Sequence, residues 1–303
     1  MASWRDPQIA GVRAIMAARR PDPDAPSPSH SERRAAMDAV GEASTLPRGC
    51  WHEPVTLGGV KCERITPENA VADRRLLYLH GGGYVMGSPR SHRPLAAWLA
   101  VAARARAIVA DYRLGPEHRF PAALDDAEAV YRALLDEGAA PERIVVAGDS
   151  AGGGLTLALA LRLKRSGLPQ PAGWFAISPW ADLTQSGRSY ETKAETDPSL
   201  SREALNEYAL AYLGGLDARE PEASPVFGDF EGVSPVFIQT GSEEVLLSDS
   251  LTLADVLAHA KVDVRLEVWP EMIHVFQAWS GALQAARRAI RVAGEWMEAR
   301  FEA

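Results

Sequence analysis

The chain has 303 residues, 47% of them hydrophobic and 24% charged, with 32 Lys and Arg against 40 Asp and Glu for a formal net charge of −8. This composition is ordinary for a globular protein, and the length allows one large domain with a substantial core or two small ones. The acidic balance, with a pI near 5.5, argues against the clustered Lys and Arg that a phosphate-binding surface needs, so nucleic acid is not an expected partner.

In chain order, residues 8–20 carry Ile9, Val12, Ile15 and Met16 at helical spacing. A Pro/Ser/Asp-rich stretch at 21–31 then breaks that helix and reads as a tether. Short β-rich runs follow at 54–58, 60–66, 74–79, 106–112, 143–147, 173–178, 235–240 and 262–269. Helical runs alternate with them at 91–103, 122–136, 152–166, 200–213, 249–260 and 277–300. Leu76-Leu77-Tyr78-Leu79, Ala107-Ile108-Val109-Ala110 and Ile144-Val145-Val146-Ala147 lack polar alternation, as strands buried on both faces should. The expected architecture is therefore α/β, an eight-stranded, mostly parallel, right-handed wound sheet with helices on both faces. Residues 51–181 and 226–303 are expected to form this α/β domain. Residues 1–50 and the insertion at 182–225, which carries Leu205, Tyr208, Tyr212 and Leu213 on a helix, are expected to form a helical cap, because a long structureless loop inside a compact domain is unusual.

Cys50 and Cys62 cannot make a disulfide framework, do not sit at CxxC spacing, and read as small buried hydrophobes. No run of about 18 apolar residues occurs, and the first twenty residues, with Arg5, Asp6, Arg13, Arg19 and Arg20, hold no signal-like apolar segment. A cytoplasmic chain without stable membrane insertion is expected. No His-Glu-x-x-His, Cys-pair or nucleotide fingerprint occurs, so neither metal nor cofactor is expected.

The chemistry concentrates in Gly148-Asp149-Ser150-Ala151-Gly152. A G-x-S-x-G pattern arises by chance in roughly one chain in ten of this length at average usage, but this one lies directly between a buried strand and a Leu/Ala-rich helix. That is the setting of a nucleophile elbow, where the helix N-terminus favours developing negative charge. The bland alternative, a phosphate-binding turn, lacks its G-x-G-x-x-G or GK[ST] signature. Upstream, His80-Gly81-Gly82-Gly83 follows strand 74–79, where three glycines let backbone amides converge on one oxygen. Both turns fall at carboxyl ends of expected parallel strands, the ligand-binding edge of such sheets.

A serine nucleophile needs a base. Among His30, His52, His80, His92, His118, His259 and His274, the first lies in the Pro-rich stretch, His52 precedes the first strand and His259 ends a helix. His274 alone lies in a loop after the last strand, as the order Ser, acid, His requires. The acid should follow strand 235–240, where Glu243, Glu244 and Asp249 compete. Asp249 has a sufficient role as a first-turn acid of the next helix, and consecutive Glu243 and Glu244 cannot both face His274. Glu244 is favoured and the other two stay open.

Together, His80-Gly81-Gly82-Gly83-Tyr84, Asp111-Tyr112-Arg113-Leu114-Gly115-Pro116-Glu117-His118, Gly148-Asp149-Ser150-Ala151-Gly152-Gly153, Ser178-Pro179-Trp180, Asp197-Pro198 and His274 resemble the microbial hormone-sensitive lipase family (bacterial esterase family IV) of the α/β-hydrolase fold. The likeness covers residues 50–300. It implies Ser150 as nucleophile, His274 as general base, and the Gly81, Gly82 and Ala151 amides as oxyanion hole. The family's Asp-Pro-Leu acid motif is replaced by Glu244-Val245-Leu246, which aligns without a gap, and Gly115 stands for the usual Ala. The implied activity is short-chain carboxylic-ester hydrolysis of a small molecule. An acetyl-hydrolase or amidase, or a non-catalytic ligand-binding relative, are the alternatives. A homodimer through the last strand, 262–269, is also expected, since edge strands pair readily.

Overall fold

The buried strands stack at the centre of one sheet, which the computed structural model describes together with the rest of residues 6–18 and 28–303. The strands are β1 (Cys50–Leu57), β2 (Val60–Pro67), β3 (Arg75–Leu79), β4 (Arg106–Ala110), β5 (Ile144–Asp149), β6 (Gly173–Ile177), β7 (Val236–Gly241) and β8 (Val264–Trp269). The helices are α1 (Ile9–Ala18), α2 (His30–Glu42), α3 (Pro89–Ala103), α4 (Ala122–Asp136), α5 (Ala151–Arg165), α6 (Ser189–Thr192), α7 (Arg202–Leu213), α8 (Leu247–His259) and α9 (Gln284–Phe301). The spatial order is β1-β2-β4-β3-β5-β6-β7-β8. β2 runs antiparallel to β1 and β4, and the remaining neighbours are parallel.

Alternation along the strands decides which face each side chain feeds. Leu77 and Leu79 join Leu124, Leu155 and Leu253 on one side, whereas Leu76 and Tyr78 join Leu99, Ile290 and Met297 on the other. Each such side chain contributes about 1.5–3 kcal/mol by burial. The central strands thus cannot move without opening both cores. The carboxyl ends of β5, β7 and β8 consequently form a stable edge.

Helices α7 and α1 are also anchored in buried clusters. Leu205, Ala209, Tyr212 and Leu213 of α7 belong to the larger one. Ile9 and Val12 of α1 pack with Trp269, Met272, Ile273 and Phe276 in a smaller cluster.

Several expectations need correction. His30 opens α2 instead of lying in a tether; Ser29 caps that helix, with its hydroxyl accepting from Glu32 N and its own N–H donating to the Glu32 carboxylate. This Ser-x-x-Glu box is a start signal that the neighbouring prolines obscured. Residues 19–27, including most of that Pro-rich stretch, lie outside the described residues. β1 begins at Cys50, so His52 lies within it; its run of exposed residues, paired from Cys50 opposite Pro67, has no apolar alternation to reveal it. Cys62 is buried but Cys50 only half-buried, and both are free.

Candidate active site

Ser150 joins β5 to α5 with φ 54° and ψ −122°, a sparsely populated backbone costing about 1–3 kcal/mol that its surroundings must hold. The elbow is closely packed. A Cβ on Gly148 would lie 2.3 Å from Gly152 O, and one on Gly152 would lie 2.0 Å from Leu79 O. Only glycine fits either position. Ser150 N donates to Ile177 O at 2.9 Å, and Ser150 O accepts from Trp180 N at 2.8 Å and Gly154 N at 3.0 Å. Ser150 lines a cavity.

His274 lines the same cavity from the loop after β8. Its Nδ1 lies 2.7 Å from Glu244 Oε2. The other oxygen, Glu244 Oε1, accepts from Gly241 N at 2.5 Å, Thr240 Oγ1 at 2.8 Å and Ser178 Oγ at 2.8 Å. Both residues are buried, so the carboxylate is fully hydrogen-bonded where an unpaired charge would be costly. Burial pulls the His274 imidazole pKa down, but the hydrogen bond and charge of Glu244, with the charges of Asp197 and Asp149, outweigh it and raise the pKa overall.

The other two candidate acids face elsewhere. Glu243 Oε1 lies 3.1 Å from Lys193 Nζ. Asp249 Oδ2 accepts from the backbone N–H groups of Ala181 and Asp182, each at 2.9 Å, tying α8 to the insertion. Two residues without a sequence-assigned role support the His274–Glu244 pair. Ser178 Oγ bonds Glu244 and also accepts from Val275 N at 3.2 Å, while Asp197 Oδ2 accepts from Val245 N at 2.9 Å. Ser178-Pro179-Trp180 and Asp197-Pro198 were visible as motifs, but their targets are remote in sequence.

Of the oxyanion-hole candidates Gly81, Gly82 and Ala151, the first is engaged elsewhere. Gly81 N donates to Asp149 Oδ1 at 3.1 Å, so this amide is committed to a carboxylate. Gly82 and Gly83, and not Gly81, line the cavity. Gly82 has φ +117°, and a Cβ there would sit 2.3 Å from Met86 O. This turn carries the next amides onward from the Asp149 contact. Ala151 is the first residue of α5, where helix amides lack intrahelical acceptors and face positive potential.

The cavity has a volume of about 370 Å³ and is mostly apolar, with Met37 and Val40 from α2, Leu95 from α3, Leu205 and Tyr208 from α7, and Trp279. α2 is clamped over it. Arg34 donates to Val85 O at 2.7 Å and Gly115 O at 2.8 Å and pairs with Glu117, whose pKa this hydrogen bonding brings down to about 2. Arg33 pairs with Glu207 on α7 at 2.9 Å. Among the described residues, no helix is long and apolar enough to cross a membrane, and no group of three His, Cys, Asp or Glu side chains could hold a metal.

The geometry and fold define a class that comparison with known proteins makes specific. Residues 76–278 match a family model described as alpha/beta hydrolase fold. An acetyl-hydrolase of Streptomyces hygroscopicus is 44% identical over 268 residues, 88% of each chain. An esterase of Acinetobacter venetianus is 37% identical over 238 residues, 78% of each chain. A crystal structure of an esterase from the bacterial hormone-sensitive lipase family superposes with a TM-score of 0.94 at 38% identity, covering 99% of this chain and 100% of that one. The chain belongs to the hormone-sensitive lipase family of α/β-hydrolases.

Proposed function

We propose that this serine carboxylesterase hydrolyses small carboxylic esters through an acyl-enzyme formed on Ser150. The reading is carried by one observation: His274 is bonded to the buried Glu244 carboxylate and shares a cavity with a serine on a strained strand-to-helix turn. Glu244 holds the imidazole tautomer, with Nδ1–H directed at Oε2, and stabilises the imidazolium that forms.

Ser150 Oγ attacks the ester carbonyl while His274 Nε2 takes its proton. The carbonyl oxygen becomes an oxyanion, received by the Gly82, Gly83 and Ala151 amides, each such donor contributing about 10²–10³ in rate. The tetrahedral adduct collapses as His274 passes its proton to the departing alkoxide. Water then attacks the acyl-enzyme, giving its proton to His274; collapse returns that proton to Ser150 and frees the acid.

The described parts of residues 1–50, together with residues 182–225, act as a cap. The limited apolar cavity beneath them suits acyl chains of about C2 to C8, within the usual few hundred Å³ of small-molecule sites. Deacetylation of a small metabolite is the second reading, favoured by the acetyl-hydrolase relative.

Ser150→Ala should abolish turnover of p-nitrophenyl butyrate, and a fluorophosphonate should label the native chain at Ser150. Near-native turnover in the variant would overturn Ser150 as the nucleophile, and a native chain that neither labels nor turns over ester would favour a ligand-binding relative. Faster turnover of triolein than tributyrin would overturn the chain-length assignment. An anilide tested beside its matching ester separates an amidase.

A homodimer through β8 is proposed because it is the edge strand next to β7 alone; a monomeric mass by light scattering would exclude it. Both cysteines are free, which suits a reducing compartment, and the cytoplasm is the proposed location.

A further inference from the structure

We propose that Asp149, braced by His92, is the positioning residue of the oxyanion loop: it ties the glycine turn to the nucleophile elbow so that the Gly82 and Gly83 amides stand ready before substrate arrives. This rests on the esterase reading above. Neither residue belongs to the Ser150, His274, Glu244 set.

Asp149 is the residue before Ser150 and is buried. Its Oδ1 accepts from Gly81 N at 3.1 Å and from Tyr78 OH at 2.6 Å. Its Oδ2 lies 3.4 Å from His92 Nε2, and His92 Nδ1 lies 2.8 Å from Ser91 Oγ on the first turn of α3. One carboxylate therefore joins the elbow, β3, the glycine turn and α3. The approach is close, since a Cβ on Gly81 would come within 2.3 Å of Asp149 Oδ2. A second brace lies behind the turn, where the His80 ring stacks on Tyr112 at 4.1 Å and faces His92 at 5.3 Å. Burial, reinforced by His92, brings the His80 pKa down to about 3 and keeps the ring neutral.

A buried carboxylate is costly unless paired and hydrogen-bonded. Burial raises the Asp149 pKa, yet His92 and Tyr78 outweigh that and hold the carboxyl below its ordinary value. The retained charge grips the Gly81 N–H more strongly than a neutral acceptor would. Fixing that peptide sets the plane from which Gly82, at φ +117°, turns toward the cavity. Donors already aimed at the developing charge need no reorganisation during reaction. Losing the anchor should therefore lower kcat and leave ground-state binding almost unchanged.

The test measures kcat and KM for p-nitrophenyl butyrate on the full chain, alongside thermal midpoint and fluorophosphonate labelling of Ser150. Asp149→Ala is expected to lower kcat about 10–100-fold with KM within about threefold. Asp149→Asn, whose amide oxygen still accepts from Gly81, should recover most of that loss. His92→Ala should lower kcat less, and the double variant should be no worse than Asp149→Ala alone, as for residues acting as one unit. Unchanged kcat in a folded, labelled Asp149→Ala, a loss confined to KM, or additive losses would overturn the proposal. If Asp149→Ala does not fold, His92→Ala decides: unchanged kcat overturns the proposal and a selective loss of kcat supports it. A native chain that neither turns over ester nor labels would instead overturn the esterase reading itself.

Discussion

Glu244 Oε2 stands 2.7 Å from His274 Nδ1 while the adjacent Glu243 pairs with Lys193, so two neighbouring carboxylates take different partners. Glu244→Gln should lower kcat/KM by about 10³–10⁴ through the wrong imidazole tautomer. Glu243→Gln should cost less than about threefold, as an ion pair outside the cavity contributes little. Steady-state kinetics on the two variants decides between them; equal losses would overturn the assignment.

The pH profile follows from the same contact. In the proposed mechanism His274 is neutral when it accepts the serine proton, and its pKa is raised overall by Glu244, Asp197 and Asp149 against burial. The rate should therefore fall on the acid side with an apparent pKa above the ordinary imidazole value of about 6.5. In Glu244→Gln that limb should move to lower pH, because the largest opposing charge is gone. Profiles of kcat/KM against pH measure both.

Ser178 bonds Glu244 and, through Val275 N, the loop that carries His274. Ser178→Ala leaves Val275 N without that acceptor and removes one of three donors to Glu244 Oε1. A loss of about 1–3 kcal/mol in stability is expected, with kcat reduced about tenfold from the looser pair. Thermal unfolding and kcat report the two effects separately.

Asp249 gives the opposite kind of carboxyl. Burial, with Asp182 nearby, outweighs its backbone hydrogen bonds and pushes its pKa up to about 8. The unfolded chain would lose this proton near pH 4, while the folded chain keeps it to about 8. Between those values the native state binds more protons, so this group's contribution lowers stability as pH rises, and its effect levels off above about 8. Asp249→Asn should flatten that slope and keep near-native turnover, since the carboxyl accepts from Ala181 N and Asp182 N and does not line the cavity that holds His274. Urea unfolding at pH 6 and pH 9 tests the first point, and a large loss of kcat would contradict the second.

Much of the fold was legible because its signals are local. Ile144–Ala147 is apolar without alternation, and a strand buried on both faces needs that pattern. β1 was shortened because its exposed Trp51 and His52 carry no such mark, its ladder with β2 being the only cue. α2 was missed because its capping box stands beside prolines and its face is completed by contacts with α3, where a Cβ on Gly41 would come within 2.4 Å of Arg90 O.

By itself the sequence determined the two glycine turns and the place of Ser150 between strand and helix, because close packing within a few residues admits only glycine there. It also set the order Ser150, Glu244, His274 along the chain. Tertiary structure alone decided which carboxylate meets His274, thirty residues on from Glu244, and that the Gly81 amide turns to Asp149. Side-chain direction within a turn depends on strand register and on partners distant in sequence. Neither is written in the local run of residues.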